Sequence, residues 1–185
     1  MGRLIYSMLT SLDGYTADAA GDFGWGIAED PELHSAMEEM VRDVRTYLYG
    51  RRMYETMVFW ETADALPDEP PEVAEFAKTW QAADKIVYSR TLDTVASART
   101  RIEREFDADA VRELKESGDL TVDGPGLAAV ALAAGLVDEI APVVMPVVVG
   151  GGTRFLPEGV RLDLELVGER RFASGAVHLR YRVRP

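Results

Sequence analysis

Short β-branched runs alternate with amphipathic helical stretches along most of the chain, and two β-rich runs close it. This alternation limits the possible folds more than any other feature, because strands separated by helices favour a parallel sheet with helices packed on its faces. Runs that predict strands occupy residues 3–9, 46–49, 85–89, 99–103, 119–123 and 139–149. Residues 162–173 and 177–183 predict an antiparallel hairpin joined through Ser174 and Gly175.

Helix signals fall between the predicted strands. Asp30 followed by Pro31 is typical of an N-cap before proline at the first helical position, and predicts a helix to about residue 45. Further helices are predicted over 50–59, from residue 70, after residue 107, and over 127–134 with Gly135 as the C-terminal cap. We therefore predict one α/β domain, residues 1–185, with a mixed, mostly parallel sheet, a C-terminal antiparallel hairpin and helices on both faces.

The composition excludes several classes of site and partner. The 185 residues include no cysteine and two histidines, which excludes disulfides, thiolate metal sites and multi-histidine metal sites. Three aspartates, at positions 13, 18 and 22, lack the spacing of a calcium loop, so no metal site is expected. A net charge of −12 argues against nucleic-acid partners. Long apolar segments and a signal peptide are absent, so we expect a cytoplasmic protein without a membrane partner.

A glycine at position 50 lies where a predicted strand meets a predicted helix, and two arginines follow it. Ligands of open α/β sheets bind outside the carboxyl ends of the strands. Gly50 would let a ligand approach the backbone, while Arg51 and Arg52 add fixed positive charge, a combination that suits a pyrophosphate. The alternative is a solvated basic turn with a packing glycine.

Two further junctions have a similar character. Ser89 and Arg90 follow the strand at 85–89 and offer a hydroxyl and a guanidinium to a phosphate monoester, although such a pair is also common in surface turns. Residues 123–127 read Asp-Gly-Pro-Gly-Leu and open a helix with two glycines, which expose backbone N–H groups to an anion. The alternative is a tight turn, since the full G-x-G-x-x-G fingerprint is absent.

These three junctions occur in the order, and at roughly the spacing, of the cofactor-binding elements of dihydrofolate reductase-like proteins. Residues 4–15 resemble the start of the branch that includes the C-terminal reductase domain of bacterial riboflavin biosynthesis, which reads S-x-D-G. Residues 143–153 are similar to the late P-V-V-x-G-G-G segment of that branch. The chain thus resembles the dihydrofolate reductase superfamily over residues 3–183, and the resemblance implies its three-layer fold.

The resemblance implies NADPH as the cofactor. Residues expected at its phosphates and nicotinamide are Gly50, Arg51, Arg52, Met53, Ser89, Arg90, Asp123, Gly124, Pro125, Gly126 and Leu127. Ser89 and Arg90 would meet the 2′-phosphate that distinguishes NADPH from NADH.

Two residues depart from the pattern. Met53 stands where the reductases usually have threonine, and Asp123 stands where the first glycine of a pair is expected, which adds bulk and negative charge beside a pyrophosphate.

On the substrate side, the loop at 10–29 resembles the mobile active-site loop of the reductases, and Trp25 would pack over a flat substrate ring. Asp13 and His34 are the candidate catalytic and substrate-binding residues. Asp13 follows from the S-x-D-G similarity, with organisation of its own turn as the alternative. His34 stands near the place where dihydrofolate reductases carry a carboxylate, which argues against folate reduction; the alternative is a half-buried helix residue.

The expected function is an NADPH-dependent reductase that transfers hydride to a C=N or C=O bond of a small pterin- or pyrimidine-like substrate. A non-catalytic protein that keeps the fold and a nucleotide or small-molecule pocket is the alternative, favoured by Met53 and Asp123. The glycines at 150–152 would either border the active-site cleft or form a sharp turn. The resemblance also implies a homodimer.

Overall fold

The computed structural model of the chain describes residues 2–26, 30–67 and 70–184. The strands are β1 Leu4–Tyr6, β2 Leu9–Ser11, β3 Tyr15–Ala17, β4 Val44–Gly50, β5 Asp84–Tyr88, β6 Thr100–Glu103, β7 Asp119–Asp123, β8 Glu139–Ile140, β9 Val143–Met145, β10 Thr153–Arg154, β11 Leu164–Arg171 and β12 Val177–Val183. The α-helices are α1 Pro31–Val41, α2 Arg51–Met57, α3 Pro71–Ala82, α4 Ala108–Glu116 and α5 Pro125–Ala133. Short 3₁₀ turns cover Gly24–Gly26, Val58–Glu61 and Ala63–Ala65.

The main sheet is mostly parallel. Strands β6, β5, β4, β7, β1 and β8 lie side by side in that order and run in one direction. β12 runs antiparallel to β8 and β9, and β11 closes the sheet as the antiparallel partner of β12. β3 and β10 form a separate two-stranded antiparallel sheet. The predicted α/β class, with a mixed sheet and a C-terminal hairpin, is confirmed.

Helices cover both faces of this sheet. Leu4, Leu48 and Leu120 pack on one face against α4 and α5. Tyr47 and Tyr49, which alternate with Leu48 along β4, face the opposite side and pack against α2 and α3. α1 packs against α3 on that second side. No helix within the described residues is long and apolar enough to span a bilayer.

Two predicted strands are each broken into two. The run at 3–9 divides into β1 and β2, and the run at 139–149 into β8 and β9. Pro142 has no N–H to donate, so the ladder is interrupted there, although its carbonyl still accepts from the Leu179 N–H at 3.0 Å. The loop predicted at 10–29 contains the end of β2, β3 and a 3₁₀ turn, and residues 27–29 lie outside the described residues.

The helix starts follow the capping signals closely. Asp30 is the N-cap of α1, with Oδ1 accepting from the Leu33 N–H at 3.1 Å, and Asp107 caps α4 in the same way. Gly135 has the positive φ, 64°, expected just after α5. α1 ends at Val41, earlier than predicted, and α5 begins at Pro125, two residues before the predicted start.

Candidate functional site

The carboxyl ends of β5, β4 and β7 meet at one edge of the sheet, because the three strands are adjacent and parallel. Gly50 at the end of β4 lies beside Tyr88 at the end of β5. On the other side of β4, Tyr49 lies beside Asp123 at the end of β7. The turns that follow these strands, near positions 50, 89 and 124, are therefore neighbours in space.

The turns at 50 and 124 are in direct contact. A Cβ placed on Gly50 would lie 3.9 Å from the Cβ of Leu127, and one placed on Gly124 would lie 3.1 Å from the Cβ of Met53. Gly124 has φ of 93°, a left-handed conformation that side chains other than glycine rarely adopt. Gly126 has open space where a Cβ would project, so a ligand can approach the backbone at the start of α5.

The turns at 50 and 89 are joined by a side chain. Arg51 donates from Nη1 to the Thr91 hydroxyl at 2.9 Å and from Nε to Glu55 at 2.7 Å. Its charge is therefore partly compensated, although the pair is about half exposed. Arg52 is exposed and forms no ion pair within 4.0 Å among the described residues.

The hydroxyl of Ser89 organises the third turn. It accepts from the backbone N–H groups of Thr91 and Leu92, at 3.3 and 3.0 Å, and Ser89 is buried. The hydroxyl proton is still available to a ligand, because both of these bonds use the oxygen as acceptor. Arg90 is 81% exposed and lies 3.9 Å from Glu105, so its guanidinium is free to reorient.

The sheet splits next to these turns. β1 pairs with β7 as far as Tyr6 and Val122, but β2 pairs with β9 and, among the described residues, not with β7. A gap therefore opens at the carboxyl edge between Met8 and Asp123, which we call the sheet split. In an open α/β sheet, such a divergence at the carboxyl edge is where ligands bind.

Asp123 stands beside the sheet split. Its carboxylate accepts from the Thr121 hydroxyl at 2.8 Å, and both side chains project to the face that carries α1 and α3. Burial raises the pKa of Asp123 to about 7, against the lowering effect of the Thr121 bond. The left-handed residue of the turn is Gly124, and the added bulk and negative charge of Asp123 beside a pyrophosphate stay a prediction.

The sequence profile of the RibD C-terminal domain family matches residues 3–178. The chain belongs to this family. It is 27% identical over 183 residues to the uncharacterized protein YyaP of Bacillus subtilis (strain 168), covering 97% of this chain and 94% of that protein.

Solved structures share the fold of this RibD C-terminal domain protein. A putative riboflavin biosynthesis protein from Shewanella sp. PV-4 superposes with a TM-score of 0.73 at 20% identity, covering 99% of each chain. A Thermotoga maritima diaminohydroxyphosphoribosylaminopyrimidine deaminase/5-amino-6-(5-phosphoribosylamino)uracil reductase gives 0.68 at 15% identity, over 99% of this chain and 57% of its own. A pyrimidine reductase-like protein of Corynebacterium diphtheriae gives 0.64 at 13% identity, over 100% and 92%.

The side chains of Asp13 and Trp25, among the remaining predicted site residues, make their hydrogen bonds to other loops. Asp13 accepts from the Val149 and Gly150 N–H groups at 3.2 and 2.8 Å, and hydrogen bonds, led by that of Ser11, lower its pKa. Both its oxygens thus accept from the turn at 149–150 and not from its own turn at Asp13 and Gly14. Trp25 donates its indole N–H to the Asp22 carbonyl at 3.0 Å and packs near the start of α1. His34 is half-buried on α1. Their catalytic and substrate-binding roles stay predictions.

A cleft that the sequence did not indicate lies beneath α1. It has a volume of about 370 Å³, and its lining includes Ser7, Met40, Thr121, Ala141, His178 and Arg180. Burial, with the nearby Arg180 charge, lowers the pKa of His178 to about 4. Its Nε2 is buried and has no hydrogen-bond partner among the described residues. The period-two spacing of Thr121 and Asp123, and of His178 and Arg180, is the signal that could have placed them on one face.

Proposed function

We propose that this RibD C-terminal domain protein is an NADPH-dependent reductase that transfers hydride to a C=N or C=O bond of a small heterocyclic substrate. The convergence of the turns at 50, 89 and 124 beside the sheet split carries the proposal. The names of structural neighbours support the same class, since one is named as a deaminase/uracil reductase and another as pyrimidine reductase-like.

The cofactor side suits a dinucleotide. Backbone N–H groups at the start of α5 would receive the pyrophosphate, because Gly126 leaves that approach open. Arg52, Ser89 and Arg90 would receive the 2′-phosphate through two exposed guanidinium groups and a hydroxyl proton. When bound, the cofactor supplies the hydride, and the protein's part is to hold both rings in register and exclude water.

Asp123, at the carboxyl end of β7, suits the substrate side. The cleft beneath α1 is a separate pocket, because its lining includes Val44 and Asp119, the first residues of β4 and β7, and it carries charged as well as apolar side chains. A carboxyl with a pKa of about 7 is partly protonated at neutral pH, so Asp123 can donate a proton to a substrate in the sheet split. A bound water, His34 and Asp13 are the other candidate donors.

A fluorescence titration with NADPH, compared with NADH, tests the cofactor. We expect saturable binding that prefers NADPH, and loss of that preference in Arg90→Gln because its guanidinium faces the 2′-phosphate in this proposal. Arg112→Gln is the matched control, since Arg112 lies on α4 and pairs with Asp109. Absence of saturable binding at high micromolar NADPH would end the reductase proposal.

Turnover is tested by NADPH consumption with a panel of cyclic imines, pyrimidines and carbonyl compounds. If Asp123 is the proton donor, kcat declines above about pH 7, and Asp123→Asn lowers kcat roughly 10²-fold or more and removes that decline. An Asp123→Asn protein with an unchanged rate and pH profile would exclude Asp123 as the donor.

Besides Met53 and Asp123, the compensation of Arg51 by Glu55 favours the non-catalytic alternative, because it reduces the positive charge at the first turn. A protein of that kind would bind NADPH or another nucleotide without consuming it on any member of the panel. Binding and turnover measured on the same sample therefore separate the two candidates.

A further inference from the structure

β2 forms one wall of the sheet split. β1 runs beside β8 at Tyr6 and Ile140, and β2, which follows it in the chain, runs beside β9 at Leu9 and Val143. β2 therefore prolongs the line of β1 beyond the point where β1 stops pairing with β7. Among the described residues β2 pairs with β9 alone, so its other edge borders the split, opposite Asp123.

Two exposed apolar side chains lie at the carboxyl end of this wall. Leu12 follows β2 and is 69% exposed, and Val148 follows β9 and is 66% exposed. The Leu12 N–H donates to the Val147 carbonyl at 2.8 Å, so the two segments stay side by side beyond the strands. Among the described residues, no other large apolar side chain is as exposed as these two. Apolar surface next to a ligand site favours a ligand that covers it.

The same wall carries an excess of negative charge. Segments 7–26 and 145–158 contain three aspartates and one glutamate, and their only lysine or arginine is Arg154. The charge of Arg154 is already compensated, because its Nε lies 3.4 Å from Oε1 of Glu158. The wall therefore has no uncompensated cation that could receive a phosphate.

Asp13 places one of these negative charges beside the two apolar side chains. It follows Leu12 directly, and its oxygens accept from the N–H groups of residues 149–150, which follow Val148. Hydrogen bonds, led by that of Ser11, lower the pKa of Asp13, so its carboxylate is ionised at neutral pH. A phosphate placed against this wall would lie close to a fixed charge of its own sign and be repelled.

We propose that the substrate reduced in the sheet split carries no phosphate group and presents an apolar substituent to Leu12 and Val148. The inference rests on the proposed reductase function and adds to it the chemical class of the substrate. The reduced bond lies near Asp123, and the substituent extends along the β2 wall. In this respect the substrate would differ from the one in the name of the Thermotoga maritima reductase, which contains a phosphoribosylamino group.

The basic residues of the carboxyl edge do not alter this conclusion. Arg52 and Arg90 follow β4 and β5, which lie on the far side of β7 from the β2 wall. In the proposed function they receive the 2′-phosphate of the cofactor. A substrate phosphate would thus compete with the cofactor for them, whereas an apolar substituent on the opposite wall would not.

Three imines built on one pyrimidine ring test the substrate class. Their side chain is hexyl, 6-hydroxyhexyl or 6-phosphohexyl, and in each of them hydride from NADPH adds to the imine carbon and a proton to its nitrogen, leaving NADP⁺. We expect kcat/KM to fall in that order, by roughly tenfold or more from the hexyl to the phosphohexyl compound. The difference between these two should shrink as salt rises, because salt screens the repulsion.

Two substitutions test the wall itself. Leu12→Lys and Val148→Lys each replace an exposed apolar side chain with a cation, so each should lower the hexyl-to-phosphohexyl ratio of kcat/KM roughly tenfold or more. Leu12→Met keeps an apolar side chain and should keep the preference. Leu166→Lys is the matched control, since Leu166 is 50% exposed on β11, outside the split, and its substitution should leave the ratio unchanged.

The saturated amines that correspond to the three imines separate this inference from the reductase proposal. They cannot be reduced, so isothermal titration calorimetry, with and without NADP⁺, measures their binding whether or not the imines are turned over. Preferred binding of the hexyl amine without NADPH consumption on any imine would contradict the reductase function and support the apolar wall. Tighter binding or faster turnover of the phosphohexyl compound, no binding of any amine, or an unchanged ratio in both lysine variants would each overturn the inference.

Discussion

Asp123 and His178 both lie on the α1 face of the sheet, and burial favours the neutral form of each. The pKa of Asp123 is raised to about 7 and that of His178 is lowered to about 4. The two shifts have opposite consequences for stability. Between pH 4 and 7 the folded state holds a proton on Asp123 that the unfolded state has lost, so this residue makes stability fall as pH rises. Between pH 4 and 6.5 the unfolded state protonates His178 and the folded state does not, so stability falls as pH falls.

We expect single variants to separate these two effects. As pH rises from 4 to 8, the free energy of unfolding of Asp123→Asn should rise by about 2–4 kcal/mol relative to that of the wild type. The reason is that ionisation of the buried carboxyl no longer opposes folding. His178→Gln should remove the decline on the acid side, worth about 2 kcal/mol between pH 6.5 and pH 4. Urea unfolding at a series of pH values measures both. Parallel curves for Asp123→Asn and the wild type would contradict the raised pKa.

At the scale of elements, α1 and the β11–β12 hairpin are joined by one side chain. Asp30 accepts from the Leu33 N–H at the start of α1 through Oδ1 and from the Ser174 N–H in the hairpin turn through Oδ2, at 3.1 and 2.9 Å. Among the described residues, the Asp107 carboxylate accepts only from N–H groups of its own helix, at Asp109 and Ala110. The two N-caps therefore differ in what they hold together.

Asp30→Ala should lower the urea midpoint at least twice as far as Asp107→Ala, because it removes a cap and a tertiary contact together, whereas the control removes a cap alone. Hydrogen exchange should show faster exchange at the Ser174 amide in the first variant and not in the second. Equal losses of stability in the two variants would show that the hairpin contact contributes little.

Gly152 holds the β3–β10 sheet against the neighbouring loop. A Cβ at this position would lie 2.1 Å from the Ala17 carbonyl oxygen, and its φ is 128°. Gly151 has open space at the same point. The glycines at 150–152 were predicted either to border the active-site cleft or to form a sharp turn, and the geometry of Gly152 supports the turn.

We expect Gly152→Ala to destabilise the protein by roughly 2 kcal/mol or more, through the clash and the strained backbone, and Gly151→Ala to have little effect. Thermal unfolding compares the two. Faster exchange at the Phe155 amide, which donates to the Gly14 carbonyl at 2.9 Å, would locate the damage in this loop. A Gly152→Ala protein as stable as Gly151→Ala would contradict the close approach.

Local signals made most elements predictable. The caps at Asp30 and Asp107 and the glycine at 135 act within one turn of the chain, so the sequence shows them directly. The breaks near Ser7 and Pro142 depend on which strands pair on each side, which is a tertiary property. The cleft beneath α1 was not predicted for the same reason, since Ser7, Thr121 and His178 come from segments far apart in sequence.

For the whole molecule, the prediction that depended most on long-range order was the meeting of the turns at 50, 89 and 124. Parallel pairing of β5, β4 and β7 brings them together. The sequence indicated this through the resemblance and through the glycine junctions. It did not reveal that the Asp123 side chain lies on the face of the sheet that carries α1 and α3. Side-chain direction at a strand end follows from register, which no local signal contains.

If these turns hold NADPH, binding must stabilise the entire fold. At a free cofactor concentration of about 100 times Kd, linkage adds roughly 2.7 kcal/mol, which corresponds to a rise in Tm of about 5–10 °C for a chain of this length. Thermal scans with NADPH, with NADH and with the Arg90→Gln variant measure it. A Tm that does not move with saturating NADPH would contradict the cofactor assignment.

The floor of the sheet split is made of main chain. Immediately below it, β1 is still paired with β7, where Tyr6 lies beside Val122, and with β8, where the Ala141 N–H donates to the Tyr6 carbonyl at 2.8 Å. Side-chain replacements can change the width and the charge of the sheet split. They cannot make it deeper unless the hydrogen bonds between these strands break. Proteins with the same sheet split would thus bind molecules of different shapes, but at the same depth in the sheet.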